Sequence, residues 1–475
     1  MKKILKLFLI ITFLMYTIMS SSLIVNSFNS GIYANIDSYI LESMRQSKTS
    51  ALTLTIVQEE QIIYQKAYQT GDFDNHLDLD TPFYIGSIGK SFTALAIKQL
   101  ASKGLINIDE NVSSYLDWFN LKDERGNEIK VRDLIRHRSG LSTIDGNMAY
   151  TYNANYSIEE LSQVITNKVH INNIIGNINS YSNLNYIVLG AIIEKVTGLD
   201  YKTYMIENVY HPLDMYHTYH SYKEAKENGL IIGYRVINGL RIPVNVPHPE
   251  AQVPAGFQLS STNDMTNYLI MFLNQGNFKA KSLFENNVLS SESYTYDPYW
   301  QEIEIIDGYF GHSGSTFTST SQMIINQKEK MGILILTNSR DVSSTRPITA
   351  SVISEGVIQI LNGKTLTNPI PDFNWVIFSI NSIFIVLLII DLALFKRYLR
   401  MSHRYSIKRK IRFFFVDGIL PFAFLYLIKD YYDVSWEFIL NASPEYSFIT
   451  IFCCVSFMII AISRIIYSIL RRKLL

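Results

Sequence analysis

Ser87 and Lys90 are the residues of this 475-residue chain whose types and spacing point most directly to chemistry. They lie in the stretch Tyr84–Gly104, where Ile88, Phe92, Leu95, Ala96 and Leu100 recur at helical spacing. Gly104 stands where a helix end favours positive φ. The pattern predicts a helix with one apolar face and Ser87 in its first turn. Lys90 then projects its amine from the same face as the Ser87 hydroxyl, one turn on. A serine hydroxyl is a weak nucleophile until a base takes its proton, and a lysine desolvated in a pocket can have its pKa lowered enough to help. The helix N-terminus offers N–H groups and a positive dipole end to a developing oxyanion. Together these features point to acyl transfer through a serine.

The elements that must hold the pair are legible on both sides. Ile36–Gln46 reads as a short amphipathic helix, and Ala51–Gln58 with Gln61–Gln69 as a hairpin turned by two glutamates. Thr81-Pro82 leads into the Ser87 helix, a long helical insertion follows, and Gln322–Asn326 with Gly332–Asn338 form a second strand pair. That order predicts a mixed α/β (α+β) domain. Apolar residues make up 48% of the chain, ample for a core and for two or three domains. Lys and Arg (42) balance Asp and Glu (42), which argues against a global nucleic-acid surface. Cys453 and Cys454 both fall in a late apolar run, so the preceding chain has no disulfide and no cysteine metal site. No metal or cofactor is implied.

Three phrases in chain order resemble the penicillin-binding protein and serine β-lactamase group, and within it the class C β-lactamase-like serine hydrolases. The first is Ser87-x-x-Lys90. Tyr181-Ser182-Asn183, just before an apolar helix closed by Gly198, resembles the family's Tyr-x-Asn motif. The third, Gly311-His312-Ser313-Gly314-Ser315, stands where the family carries Lys-Thr-Gly or His-x-Gly on a strand lining the site. Further likenesses are Asp133–Leu141, where Arg138 replaces the usual threonine, and His211-Pro212-Leu213-Asp214-Met215, where Asp214 replaces glycine. Pro254-Ala255-Gly256-Phe257 matches a family loop, and Ser261 with Asp264 has capping spacing. His137 reads as a packed structural residue rather than a catalytic one. The resemblance covers roughly Asp37 to Ile360 and implies a specific fold: an antiparallel sheet flanked by helices plus an all-helical subdomain.

It also implies roles. Ser87 attacks, and Tyr181, as a phenolate or coupled to Lys90, takes the proton and passes it to the leaving amine. Because tyrosine titrates near 10, Lys90 is expected to lower that value. The Ser87 and Ser315 N–H groups would form the oxyanion hole. Asn183, His312, Ser313 and Gly314 would bind substrate.

Composition changes at both ends. Met1–Asn26, basic at Lys2, Lys3 and Lys6 and then apolar, is a secretory signal or an uncleaved anchor. Trp375–Phe395, Phe413–Ile428 and Phe448–Leu470 read as three membrane spans; the first is about 31 Å long as a helix. Eight Lys/Arg and no acid occupy Lys396–Arg412, the chain ends in Arg471-Arg472-Lys473, and an acidic loop lies between. Arg464 is expected to snorkel towards the basic end. The positive-inside rule then puts the Ser87 domain outside the cytoplasm and the C-terminus inside. The divisions are 1–34 (signal or anchor), 35–365 (hydrolase), 366–374 (linker) and 375–475 (multi-pass cell-membrane domain).

The expected activity is serine hydrolysis through an acyl-enzyme, on a small peptide, an acyl-D-amino acid or an ester. A lysine at position 312 would favour β-lactam carboxylates; histidine is mostly neutral at pH 7, so D-amino-acid amides or esters are favoured over β-lactams. An export signal, this domain and three C-terminal helices also resemble colibactin-type prodrug-activating peptidases. The helices would meet the bilayer, docking the domain against an amphiphilic substrate or forming a homodimer. The alternatives are a β-lactamase or esterase of the same family, or a non-catalytic penicillin-binding sensor.

Overall fold

The computed structural model describes residues 31–70 and 76–282, the latter without 120, 122, 152–155, 172, 238–239, 245–247, 276 and 280. It further describes 301–302, 308–341, 349–364, 366, 375–401, 408, 411–412, 415–421, 423, 425–427 and 444–473. The signal or anchor before residue 31, nearly all of the 366–374 linker and the acidic loop up to residue 443 lie outside the described residues.

The chain opens with helix α1 (Ile32–Ser47) and the hairpin β1 (Ala51–Gln58) and β2 (Gln61–Gln69). Glu59 and Glu60 turn the hairpin, both at positive φ. After the helical middle of the chain come β3 (Phe310–Ser315), β4 (Thr320–Asn326) and β5 (Met331–Thr337). These strands join the hairpin in one antiparallel sheet, ordered Gln301–Glu302, β3, β4, β5, β1, β2. The N-terminal hairpin is thus closed by the last strands of the domain, with Leu54 opposite Ile335.

Both faces of the sheet are covered, which explains why β5 reads as a nearly continuous apolar run and why every residue of β4 is buried. Leu52, Leu54 and Ile56 of β1, with Ile333 and Ile335 of β5, pack in one core with Ile36, Ile40 and Met44 of α1. The alternate residues Thr53 and Thr55 turn to the other face, as period-2 geometry requires. There they accept hydrogen bonds from Thr262 (2.6 Å) and Thr266 (3.1 Å). That second face belongs to the larger core, which takes in Phe92 and Leu95 from the Ser87 helix and Leu184, Ile187 and Val188 from the helix after Tyr181. The result is the mixed α/β fold that the chain order predicted, with the antiparallel sheet and flanking helices that the family resemblance implied.

Beyond the sheet, two long helices run over Trp375–Met401 and Pro444–Lys473. Among the described residues, one helix is long and apolar enough to cross a membrane, over Thr450–Tyr467 at a mean hydropathy of 2.1. That helix is the last of the three expected spans. Arg464 departs from expectation. It is 3% exposed, and its Nη2 donates to Asp391 Oδ1 of the neighbouring long helix at 2.7 Å. A carboxylate within reach on the facing helix holds the guanidinium inward, so it does not snorkel.

Candidate active site

Tyr84, Ile85 and Gly86 carry the chain from a two-residue strand into a turn, and the geometry there depends on glycine. Gly86 sits at φ +54, and a Cβ on it would lie 2.4 Å from Ser315 N. From the other side, a Cβ on Gly314 would lie 2.0 Å from the Ile85 carbonyl oxygen. Only two bare backbones can approach so closely, which brings β3 against the nucleophile turn. Ser321 fixes the same contact by donating to the Ile85 carbonyl at 2.7 Å. Ser87 itself lies in a 3₁₀ turn, Gly86–Ile88, immediately before the helix α2 (Gly89–Ser102) rather than within it.

Lys90, in the first turn of α2, is 1% exposed. Its three N–H donors meet Ser87 Oγ at 3.1 Å, Asn183 Oδ1 at 2.7 Å and the Ala255 carbonyl. The Ala255 carbonyl is held in place because Thr93, one turn along α2, donates to the adjacent Pro254 carbonyl at 2.7 Å. No carboxylate compensates the ammonium in this contact set, and burial lowers the Lys90 pKa from 10.5 to about 7. Tyr181 completes the group, its Oη 2.7 Å from Ser87 Oγ, with the Lys90 amine 4.9 Å from its ring centroid. The helix α3 (Asn183–Thr197) begins two residues later and places Asn183 beside Lys90.

The expectation that Lys90 lowers the Tyr181 pKa is overturned. Burial dominates and pushes the phenol well above its usual range, with the Ser87 hydrogen bond acting weakly against it. At neutral pH Tyr181 is therefore a neutral hydroxyl, hydrogen-bonded to Ser87. His312 is likewise neutral. Burial first, then the Lys90 charge, bring it down to about 4. Its Nδ1–H donates to the Ser313 carbonyl at 2.7 Å.

Strand geometry sets the direction of the Ser315 N–H. Thr316 N donates to Ser319 O at 3.0 Å, and hydrogen bonding alternates along an antiparallel pair. Ser315 N therefore faces away from β4, and its register partner Thr320 turns its own N–H away from β3, donating to Thr337 Oγ1 at 3.2 Å. Ser315 N thus stands against Gly86, the residue before Ser87.

A cavity of about 230 Å³ opens beside Ser87, lined by Tyr181, Asn183, Gln252, Ser315, Phe317 and Arg340 among others. Tyr150 contributes a further wall, its ring 5.9 Å from Phe257 and 5.5 Å from Phe317. Of the residues assigned to substrate, Asn183 is in this wall, whereas His312, Ser313 and Gly314 are not. Sequence reasoning missed Arg340, Tyr150, Phe317 and Gln252, which belong to no motif and come from distant segments. His137 is structural. At φ 48 and buried, its Nδ1 accepts from Ser182 N (3.2 Å) and bonds Asn185 Nδ2 (3.0 Å) beneath the Tyr181 loop. Asp214 takes the left-handed conformation read for it, at φ 54. Ser261 caps the helix Thr262–Leu273 by accepting from Asp264 N, but the Asp264 carboxylate accepts from His217 N at 2.7 Å instead of closing a capping box.

Comparison with known proteins agrees with this geometry. Protein flp of Staphylococcus aureus (strain MW2) is 28% identical over 318 residues, 64% of this chain and 62% of that protein. The chain thus spans less than two thirds of that relative's length. A teichoic acid D-alanine hydrolase of Staphylococcus aureus is 30% identical over 190 residues, 39% of this chain and 44% of that protein. In fold, the chain is similar to the octameric penicillin-binding protein homologue from Pyrococcus abyssi. That match has a TM-score of 0.57 at 24% identity and covers 71% of this chain and 78% of the other. The profile described as Beta-lactamase matches residues 36–356, and the chain belongs to that serine hydrolase family.

Proposed function

We propose that this protein is a membrane-held serine hydrolase, its sheet domain outside the cytoplasm, that cleaves an amide or ester of a D-amino acid through an acyl-enzyme. The observation that carries the reading is the placing of Ser87 Oγ against both the Lys90 amine and the Tyr181 hydroxyl. With a pKa of about 7, Lys90 is neutral in a large fraction of molecules at neutral pH. The neutral amine takes the Ser87 proton, directly or through Tyr181, as Oγ bonds to the substrate carbonyl carbon. The carbonyl oxygen gathers negative charge against the Ser87 and Ser315 N–H groups. The Lys90 ammonium returns the proton through Tyr181 to the leaving nitrogen or oxygen as its bond to carbon breaks. A water molecule then repeats the sequence on the ester, releasing the acid and restoring Ser87.

The relative named teichoic acid D-alanine hydrolase favours a second reading, in which the scissile bond is a D-alanyl ester. An uncharged His312 suits both readings better than β-lactam hydrolysis. Membrane attachment rests on the helix Pro444–Lys473, and the basic run Lys396–Arg412 supports a multi-pass arrangement with a cytoplasmic C-terminus. The test is a substrate panel on washed membranes, wild type against Ser87→Ala. It compares N-acyl-D-Asn and N-acyl-L-Asn anilides, a D-Ala-D-Ala peptide, a D-alanyl ester, a short-chain ester and nitrocefin. Ser87-dependent turnover of the D-configured compounds is expected; fastest turnover of nitrocefin, or of the L-isomer over the D-isomer, would overturn the assignment.

A further inference from the structure

A second cavity, of about 470 Å³, lies against the strand that leads to the nucleophile and shares no described lining residue with the one beside Ser87. Phe83 and Tyr84 form one wall, and the chain from Tyr84 reaches Ser87 three residues later. Thr318 and Ser319 form another, directly after Phe317, which lines the catalytic cleft. Ser319 joins the two walls by donating from Oγ to the Tyr84 carbonyl at 3.1 Å. A third wall runs over Ile231, Ile232 and Gly233. It is held by Asn338, whose Nδ2 donates to the Ile232 carbonyl at 2.9 Å and whose Oδ1 accepts from Ala51 N at 2.9 Å. Gly233 closes against the Thr318 turn, where a Cβ would lie 2.4 Å from Thr318 Oγ1. The space is thus pre-formed by hydrogen-bonded chain, and its volume lies in the range of small-molecule sites.

Its lining is mainly apolar: Phe83 is 2% exposed and Ile231 8%, with Leu230, Ile232 and Val244 beside them. Such a space favours an aliphatic chain over water. Two lining groups add polarity of a definite kind. Thr318 is 2% exposed, and its hydroxyl has no hydrogen-bond partner among the described residues. A buried hydroxyl left in this way calls for an acceptor on a ligand. Lys226, on the short helix Tyr222–Glu227, is exposed where it meets the cavity. Its amine has neither a hydrogen bond nor an ion pair among the described residues, and Glu224 of the same helix is taken by Lys202. No acidic side chain is among the described lining residues. An apolar pocket with a free cation at its edge is complementary to a chain that ends in an anion.

We propose that this cavity is a second ligand site, separate from the catalytic cleft, and that it takes an anionic amphiphile. One aliphatic chain lies on the Phe83 and Ile231 walls, and the ligand's oxygens serve the Thr318 hydroxyl and the Lys226 ammonium. To test this, full-length protein in washed membranes would be irradiated with dodecanoate carrying a terminal diazirine. Cross-linked peptides mapped by mass spectrometry should contain Phe83–Tyr84 or Leu230–Gly233. Unlabelled dodecanoate or lysophosphatidylglycerol should compete, and dodecyltrimethylammonium should not. The better of the two anions tells a free acid from a membrane lipid. Lys226→Glu should weaken capture roughly 3- to 10-fold, as expected for reversing an exposed charge, whereas Lys226→Arg keeps it. Val244→Trp, which puts an indole into the space, should abolish capture with Lys226 intact. Blocking Ser87 beforehand with a fluorophosphonate should leave capture unchanged, because the two cavities share no described lining residue. Cross-links confined to other segments, or equal competition by the cation, would overturn the proposal. So would capture indifferent to Lys226→Glu or to Val244→Trp, or capture lost on blocking Ser87.

Discussion

The Lys90 amine should set the pH dependence of acylation. With a pKa of about 7 it is about half neutral at pH 7, roughly a tenth neutral at pH 6 and about nine-tenths neutral at pH 8. Only the neutral amine can accept the Ser87 proton. The second-order rate of Ser87 labelling by a fluorophosphonate should therefore rise about tenfold per unit below the break and level off above about pH 8. Among the described residues of the site no other group competes for this assignment: burial brings His312 down to about 4 and His137 to about 2, and pushes Tyr181 far above neutrality. Lys90→Met should lower the rate by about 10²–10⁴ and flatten the profile. A break near pH 7 that persists in Lys90→Met, or a wild-type break near the ordinary lysine value, would refute the reasoning. The same burial has a thermodynamic sign. The folded-state pKa lies below the unfolded one, so between about pH 7 and 10.5 the unfolded chain binds more protons and stability rises with pH. The cost of the charge is fully present below pH 7, on the order of 5 kcal/mol. Lys90→Met should compare best with wild type there, less what is lost by leaving Asn183 Oδ1 and the Ala255 carbonyl without their donor.

Tyr181→Phe should slow labelling by about 10²–10⁴, and combining it with Lys90→Met should add little, because the two act as one proton-transfer unit; additive losses would separate them. Gly86→Ala should abolish labelling, since the added Cβ meets Ser315 N at 2.4 Å and φ +54 costs a further ~1–2 kcal/mol. Near-wild-type labelling of Gly86→Ala would mean that β3 does not complete the site. Asp391→Asn alone should lower the thermal midpoint of detergent-solubilised protein, by an amount corresponding to about 3–5 kcal/mol for a buried pair losing one partner. Replacing both Asp391 and Arg464 with leucine should cost far less; equal losses would argue against the pair.

The parts of the site that were legible in the sequence are those carried by local spacing. Ser87 and Lys90 share a face because three residues make nearly one helical turn, and Asn183 stands at a helix start that its apolar neighbours announce. The first hairpin was legible because two β-rich runs flank a short polar turn. What could not be read depends on which distant surfaces meet. Arg340 reaches the cleft only because a short strand after β5 pairs with residues more than a hundred positions earlier. The Tyr181 shift was misread because a neighbouring lysine is visible in the text whereas the depth of burial is not. Arg464 was read outward for the same reason. Hydropathy along one helix does not show that a carboxylate waits on another.

The closure of the sheet carries a consequence for the order in which the protein becomes active. Leu52 pairs with Thr337, so β1 has no partner on that side until nearly the whole domain has been synthesised. At about 5–20 residues per second, a quarter of a minute to a minute separates the two strands. Ser87 and Lys90 are made early, but Ser315, whose N stands against Gly86, arrives with β3. Non-local pairing of this kind also folds slowly, because loop entropy is lost before the contacts form. The nascent chain therefore carries a serine and a lysine without the strand that completes their site. Ser87 reactivity should appear in one late step, coincident with sheet closure rather than with helix formation.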